Sequence, residues 1–96
     1  MSIARLLKLK RRKILGIARK YGIRNIKVFG SVARRQTTKK SDIDLLVDTA
    51  PDRSLLDRVA FMQDLQDLLD RKVDVVTTRS LHWYIRDKVM NEAVPL

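Results

Sequence analysis

The chain has 96 residues, 45% of them hydrophobic, no cysteine, and a formal charge of +10. That length fits one domain, residues 1–96, with a real core and little room for a second, substrate-binding domain. The composition excludes disulfides and thiolate metal sites, and no apolar run reaches membrane-spanning length.

The charge is unevenly spread. Residues 1–41 carry 14 Lys/Arg and no acid, whereas residues 42–96 carry 7 Lys/Arg and 11 acids. Such a basic half attracts a polyanion: a triphosphate, RNA or an acidic partner. With five aromatic residues in all, a stacking platform for single-stranded RNA is poorly supported. Much of Lys8-Leu9-Lys10-Arg11-Arg12-Lys13 reads as a solvated helix face.

Met1-Ser2-Ile3 leads into a charged helical pattern rather than an apolar signal core, which makes the cytoplasm the expected address. Residues 3–21 form an amphipathic helix, with Ile3, Leu7, Ile14, Ile17, Ala18 and Tyr21 on one face and Gly22 as its C-cap. A first strand follows at 26–29, short and apolar. Gly30 lets the backbone turn sharply and a ligand approach closely. Ser31 suits the N-cap of a short helical segment, Val32-Ala33-Arg34-Arg35, whose free N–H groups would face a phosphate. Arg34 and Arg35 could add charge-assisted bonds to the same anion. Residues 36–40 read as a polar loop.

A second strand spans 42–47. Residues two apart in a strand share a face, so Asp42 and Asp44 stand side by side while Ile43 turns into the core. Two like charges that close call for a cation, and oxygen ligands suit magnesium. Two such ions could clamp the attacking and leaving oxygens of a phosphoryl displacement. Ala50-Pro51-Asp52 marks a break. Residues 54–70 form the next helix, with Leu55, Leu56, Val59, Met62, Leu65 and Leu69 as its buried stripe. Ser54 and Asp57 resemble a capping box. A third strand covers 73–76. Its single acid, Asp74, would be costly in an apolar strand unless it faces the same ions, and there it could help deprotonate an incoming hydroxyl. Thr78 or Ser80 then caps a last helix carrying Leu81, Tyr84, Ile85 and Val89. His82 reads as an exposed helix residue, and Trp83 and Tyr84 as packing or partner contacts.

These elements make an α/β (α+β) chain in the order α-β-α-β-α-β-α, a small mixed sheet of about three strands flanked by helices. Gly30 ends the first strand and Asp42 begins the second, so the two can meet only if those strands are antiparallel. Asp74 lies near the start of its strand, as Asp42 and Asp44 do. The second and third strands should therefore be parallel, joined by the 54–70 helix in a right-handed crossover.

A Gly-Ser pair alone is usually a turn, and an Asp-x-Asp alone is usually a solvated strand edge. Gly30-Ser31, ten residues, then Asp42-Ile43-Asp44 and a later Asp74 is a different matter. That constellation resembles the minimal nucleotidyltransferases of the DNA polymerase beta superfamily in residue type and spacing. Phe29-Gly30-Ser31-Val32-Ala33-Arg34, Ser41-Asp42-Ile43-Asp44-Leu45-Leu46-Val47 and the ending Glu92-Ala93-Val94-Pro95-Leu96 are close to family usage. Arg35 departs from it, standing where the family often has glycine. The resemblance implies a polymerase-beta-like fold and transfer of AMP from ATP. It implies magnesium held by Asp42, Asp44 and Asp74, with Gly30, Ser31, Arg34 and Ser41 around the nucleotide. Small members of the family resemble antitoxins paired with HEPN-domain ribonuclease toxins, so the implied acceptor is a tyrosine hydroxyl of such a partner in a hetero-oligomer. The alternatives are an antitoxin or subunit that neutralises its partner by binding alone, and nucleotide transfer to RNA.

Overall fold

The computed structural model describes residues 2–34 and 42–96. Helix α1 runs Ile3–Lys20, opened by Ser2, whose Oγ accepts the Arg5 N–H at 3.1 Å. Its buried residues are Ile3, Leu7, Ile14 and Ala18, the apolar stripe expected from the helical period. Gly22 follows the helix with φ +69°, the left-handed geometry that ends helices cheaply only at glycine. Tyr21, expected in the core, is only half-buried, and its hydroxyl donates to Asp64 Oδ2 at 2.8 Å.

Strand β1 spans Ile23–Phe29 and so begins three residues before the expected 26. A register irregularity between Arg24 and Lys27 accounts for the difference. Asn25 sits there in the left-handed region, φ 52°, so Ile23 and Ile26 both face inward although they are three apart. The bulge breaks the period-two signal a strand normally shows. Strand β2 is Ile43–Thr49, α2 is Leu55–Leu69 and β3 is Val73–Thr77. β1 and β2 pair antiparallel and β2 and β3 parallel, as the placement of Gly30, Asp44 and Asp74 requires.

A fourth strand, β4 (Val94–Pro95), adds to the free edge of β1, giving the order β3-β2-β1-β4 where about three strands were expected. Two residues, one of them a proline suited only to an edge, carry too little pattern to be read in advance.

Helices α1 and α2 pack against each other, α1 also on β1 and α2 also on β3. The core joins Ile14, Ala18, Phe61, Leu65 and Leu69 to Ile43, Leu45, Val47 and Val73. Leu55 and Leu56, placed on the buried stripe of α2, are 61% and 78% exposed; Phe61 takes the centre of the core instead. Both leucines lie on the first turn of α2, ahead of the buried Phe61, Leu65 and Leu69. The capping box of Ser54 and Asp57 is present, with the Ser54 N–H donating to Asp57 Oδ2 at 3.0 Å.

After β3 the chain makes a single 3-10 turn, Thr78–Ser80, capped by Thr77. Helix α3 (Trp83–Glu92) then starts behind His82, so neither Thr78 nor Ser80 is its cap. Trp83 is exposed and its ring lies 6.0 Å from that of His82. The side chain of Tyr84 lies outside the described part. No helix among the described residues is long and apolar enough to cross a membrane.

Candidate active site

β2 is the central strand, and its alternation sorts its side chains. Ile43, Leu45 and Val47 enter the core shared with α1 and α2. Asp42, Asp44, Leu46 and Asp48 therefore share the opposite face. The parallel register of β3 sets Asp44 beside Asp74 and Leu45 beside Val75. In-register neighbours on adjacent strands point the same way, so the two carboxylates stand side by side. Phe29 is the antiparallel partner of Asp44, which brings Gly30, the next residue, onto the same spot.

Gly30 has φ +72°. A Cβ built on it would lie 3.2 Å from Asp44 Cγ and overlap Oδ2 outright. Glycine is thus required twice, by the backbone angle and by the carboxylate packed against it. The chain then makes a turn through Arg34. Among the described residues it amounts to one helical hydrogen bond, the Arg34 N–H donating to the Gly30 carbonyl at 3.1 Å. Ser31 sits half-buried within it. Arg35 and the predicted nucleotide contact Ser41 lie outside the described residues.

The electrostatics agree with a carboxylate cluster. Burial pushes the Asp44 carboxyl above its ordinary value, and the charges of Asp74 and Asp42 push it further; Arg34 and Lys72 pull it back. Two residues beside this cluster were not anticipated. Aligning β3 on β2 by the Asp44–Asp74 pair puts Lys72 opposite Asp42, and its Nζ lies 3.8 Å from Asp42 Oδ2. Glu92, at the end of α3, meets Arg34 Nη1 at 3.2 Å. The first was legible from strand register; the second depends on how α3 returns to the sheet.

The donor set fits a hard divalent cation. All three acids offer only oxygen, two are in register, and the charges of Asp42 and Asp74 raise the cost of ionising Asp44. Among the described residues no three acids or imidazoles form a ready cage for an ion.

A glycine turn thus folds onto paired strand carboxylates, and the family follows from comparison. The description "Polymerase beta, Nucleotidyltransferase" matches residues 12–96, and the chain belongs to that nucleotidyltransferase family. It is 42% identical over 84 residues, 88% of this chain and 90% of the other, to a provisionally named protein adenylyltransferase of Methanocaldococcus jannaschii. A solved structure provisionally described as a minimal nucleotidyltransferase superposes with a TM-score of 0.85 at 39% identity, covering 94% of this chain and 92% of that one. An MNT antitoxin solved in complex with the tri-AMPylated HEPN toxin of Shewanella oneidensis superposes with a TM-score of 0.68 at 27% identity, over 92% and 69% of the two chains. The mixed sheet flanked by helices is thus the family fold, and the chain is an enzyme of the nucleotidyltransferase class.

Proposed function

We propose that this chain transfers AMP from ATP to a tyrosine hydroxyl of a partner HEPN toxin, as the antitoxin of a hetero-oligomer. The observation that carries the reading is Gly30 packed on Asp44, with Asp74 in register beside it. The AMPylated toxin held by a structural relative supports the choice of acceptor.

Asp42, Asp44 and Asp74 would hold the magnesium ions. Bound there, magnesium supplies positive charge to the phosphate oxygens and to the departing pyrophosphate. The chain's own residues do the rest. The Gly30-Ser31 turn lets the triphosphate approach the backbone with no side chain in the way. Arg34, shared with Glu92, reaches the phosphates by exchanging one anion for another. Asp74 takes the proton of the tyrosine hydroxyl. The oxygen bonds to the α-phosphorus, the bond to the β-phosphate oxygen breaks, and pyrophosphate leaves. Positioning and fixed charge supply most of the acceleration.

The test is intact mass spectrometry of a co-purified HEPN partner after incubation with ATP and magnesium. One or more AMP units on a tyrosine are expected. A partner that stays unmodified yet neutralised would establish inhibition by binding alone, and label on RNA instead of protein would establish a different acceptor.

A further inference from the structure

We propose that the end of the sheet remote from the carboxylates is a second anion site, one that takes the phosphate or pyrophosphate group of a small ligand. Asp44 and Thr49 are five residues apart on β2, roughly 16 Å at strand rise. At the Thr49 end a cleft of about 350 Å³ opens, walled by Arg24, Arg53, Arg79 and the threonines that end β2 and β3. It continues into a hollow of about 210 Å³ that shares Arg53 and adds Ser54 and Arg58.

Four arginines converge here from four separate segments: the start of β1, the approach to α2, α2 itself and the 3-10 turn. Residues 42–96 carry 11 acids against 7 Lys/Arg, yet three of those seven cations lie on this wall. Of the acids in that half, Asp57 lies beside the hollow, its Oδ1 3.8 Å from Arg53 Nη1 in a partly exposed i,i+4 pair that a phosphate can displace. Asp48 is the one acid among the lining residues. It accepts a hydrogen bond from Asn25 Nδ2 at 2.9 Å and a second from Thr78, which hold it ionised, so the four arginines outweigh one fixed negative charge. The Arg53 stem crosses Gly22, where a Cβ would come within 2.6 Å of Arg53 Cγ. The glycine therefore makes room for the arginine to lie over the hollow.

The chemistry of the walls selects the ligand. Guanidinium groups grip phosphate through forked, charge-assisted bonds, and the Ser and Thr hydroxyls can donate to the remaining oxygens. No aromatic lines either hollow, so nothing stacks a base. The volume is at the small end for ligand pockets, enough for a pyrophosphate or a compact phosphate ester. The carboxyl end of parallel strands is also where open α/β sheets receive ligands, whereas the proposed catalytic carboxylates lie at the amino end.

The experiment is a calorimetric titration of the whole chain with pyrophosphate, in chelator to exclude divalent metal. The Asp42→Asn/Asp44→Asn variant is expected to bind as the wild type does. The Arg24→Ala/Arg79→Ala variant changes two exposed side chains, so it should fold normally, and is expected to bind at least tenfold more weakly. The Arg24→Lys/Arg79→Lys variant should recover only part of the loss, because lysine keeps charge without the fork. Amide shifts on titration should centre on Thr49, Ser54 and Thr77. ADP in place of pyrophosphate distinguishes the source: tighter binding assigns a nucleotide, equal binding a bare phosphate group. The proposal is overturned if pyrophosphate shows no saturable binding, if the arginine variants bind normally, or if neutralising Lys10, Arg11 and Arg12 removes binding just as well.

Discussion

The two ends of the β2–β3 pair carry opposite charge and are built by opposite means. At the amino end one motif on each strand is enough: parallel register sets Asp44 beside Asp74, and antiparallel register brings Gly30 to both. At the carboxyl end the strands contribute mainly threonines, and the arginines arrive from the flanking segments. Strand-borne groups are placed by a period of two and by register. Groups borne by separate segments converge only once the whole topology exists. Perturbing one end should therefore leave the other intact.

The largest effect is predicted for Asp44→Asn. Transfer should fall by at least about a hundredfold, the usual cost of losing a group aimed at developing charge. The melting temperature should hold or rise, because a like-charge repulsion is relieved. Labelling of the partner and a thermal melt on the same preparation check both. A large drop in melting temperature would make Asp44 structural.

Next comes Gly30→Ala, set against Gly16→Ala. The first forces a left-handed backbone angle on alanine, costing about 1–2 kcal/mol, and drives a methyl into the Asp44 carboxylate. Transfer should be lost with it. At Gly16 a Cβ meets nothing within 4 Å, and alanine should stabilise α1 by about 0.5–1 kcal/mol. Denaturant titrations of both would show whether Gly30 is constrained by its surroundings or merely tolerated.

A smaller effect is expected from Arg34→Ala. Nucleotide binding should weaken by about tenfold, as for one charge-assisted contact of about 1.5 kcal/mol. Glu92→Gln, which removes the carboxylate charge 3.2 Å from Arg34 Nη1, should bind the triphosphate as well as the wild type or better. Equal binding by Arg34→Ala and wild type would leave Arg34 a surface ion pair only.

The smallest effect lies at the arginine end. Hydrogen bonds from Asn25 and Thr78 hold the Asp48 carboxyl below its ordinary 3.8. A depressed carboxyl contributes stability above its unfolded value and loses it as pH falls through the folded one. The melting-temperature gap between wild type and Asp48→Asn should therefore shrink below about pH 4. A gap that stays constant from pH 6 to pH 3 would mean that the Asn25 contact does not act through charge.

Much of the site was readable because its parts sit on strands. Asp42, Asp44 and Asp74 declare themselves as acids in β-branched runs, and Gly30 as the end of one. The strand directions followed from requiring them to meet. Lys72 was within reach of the same reasoning, since it is the residue opposite Asp42 once Asp44 is set against Asp74. Asn25 was not: a left-handed asparagine in a bulge hides the start of β1 from any search for alternation. The exposed Leu55 and Leu56 mislead for a related reason. Helical spacing says which residues share a face, not how far along the helix that face has something to cover.

By itself the sequence determined the local chemistry: which segments are helix and strand, which acids share a strand face, and where a glycine must relieve a turn. These follow from periods of 2 and 3.6 and from steric limits that act over a few residues. Tertiary structure alone decided what faces what across the molecule. The pairing of Arg34 with Glu92, the strand added by Val94–Pro95, and the gathering of Arg24, Arg53, Arg58 and Arg79 are of this kind. Those partners lie far apart in the chain, and only the assembled topology, with α3 returning its end to the sheet, brings them within reach of one another.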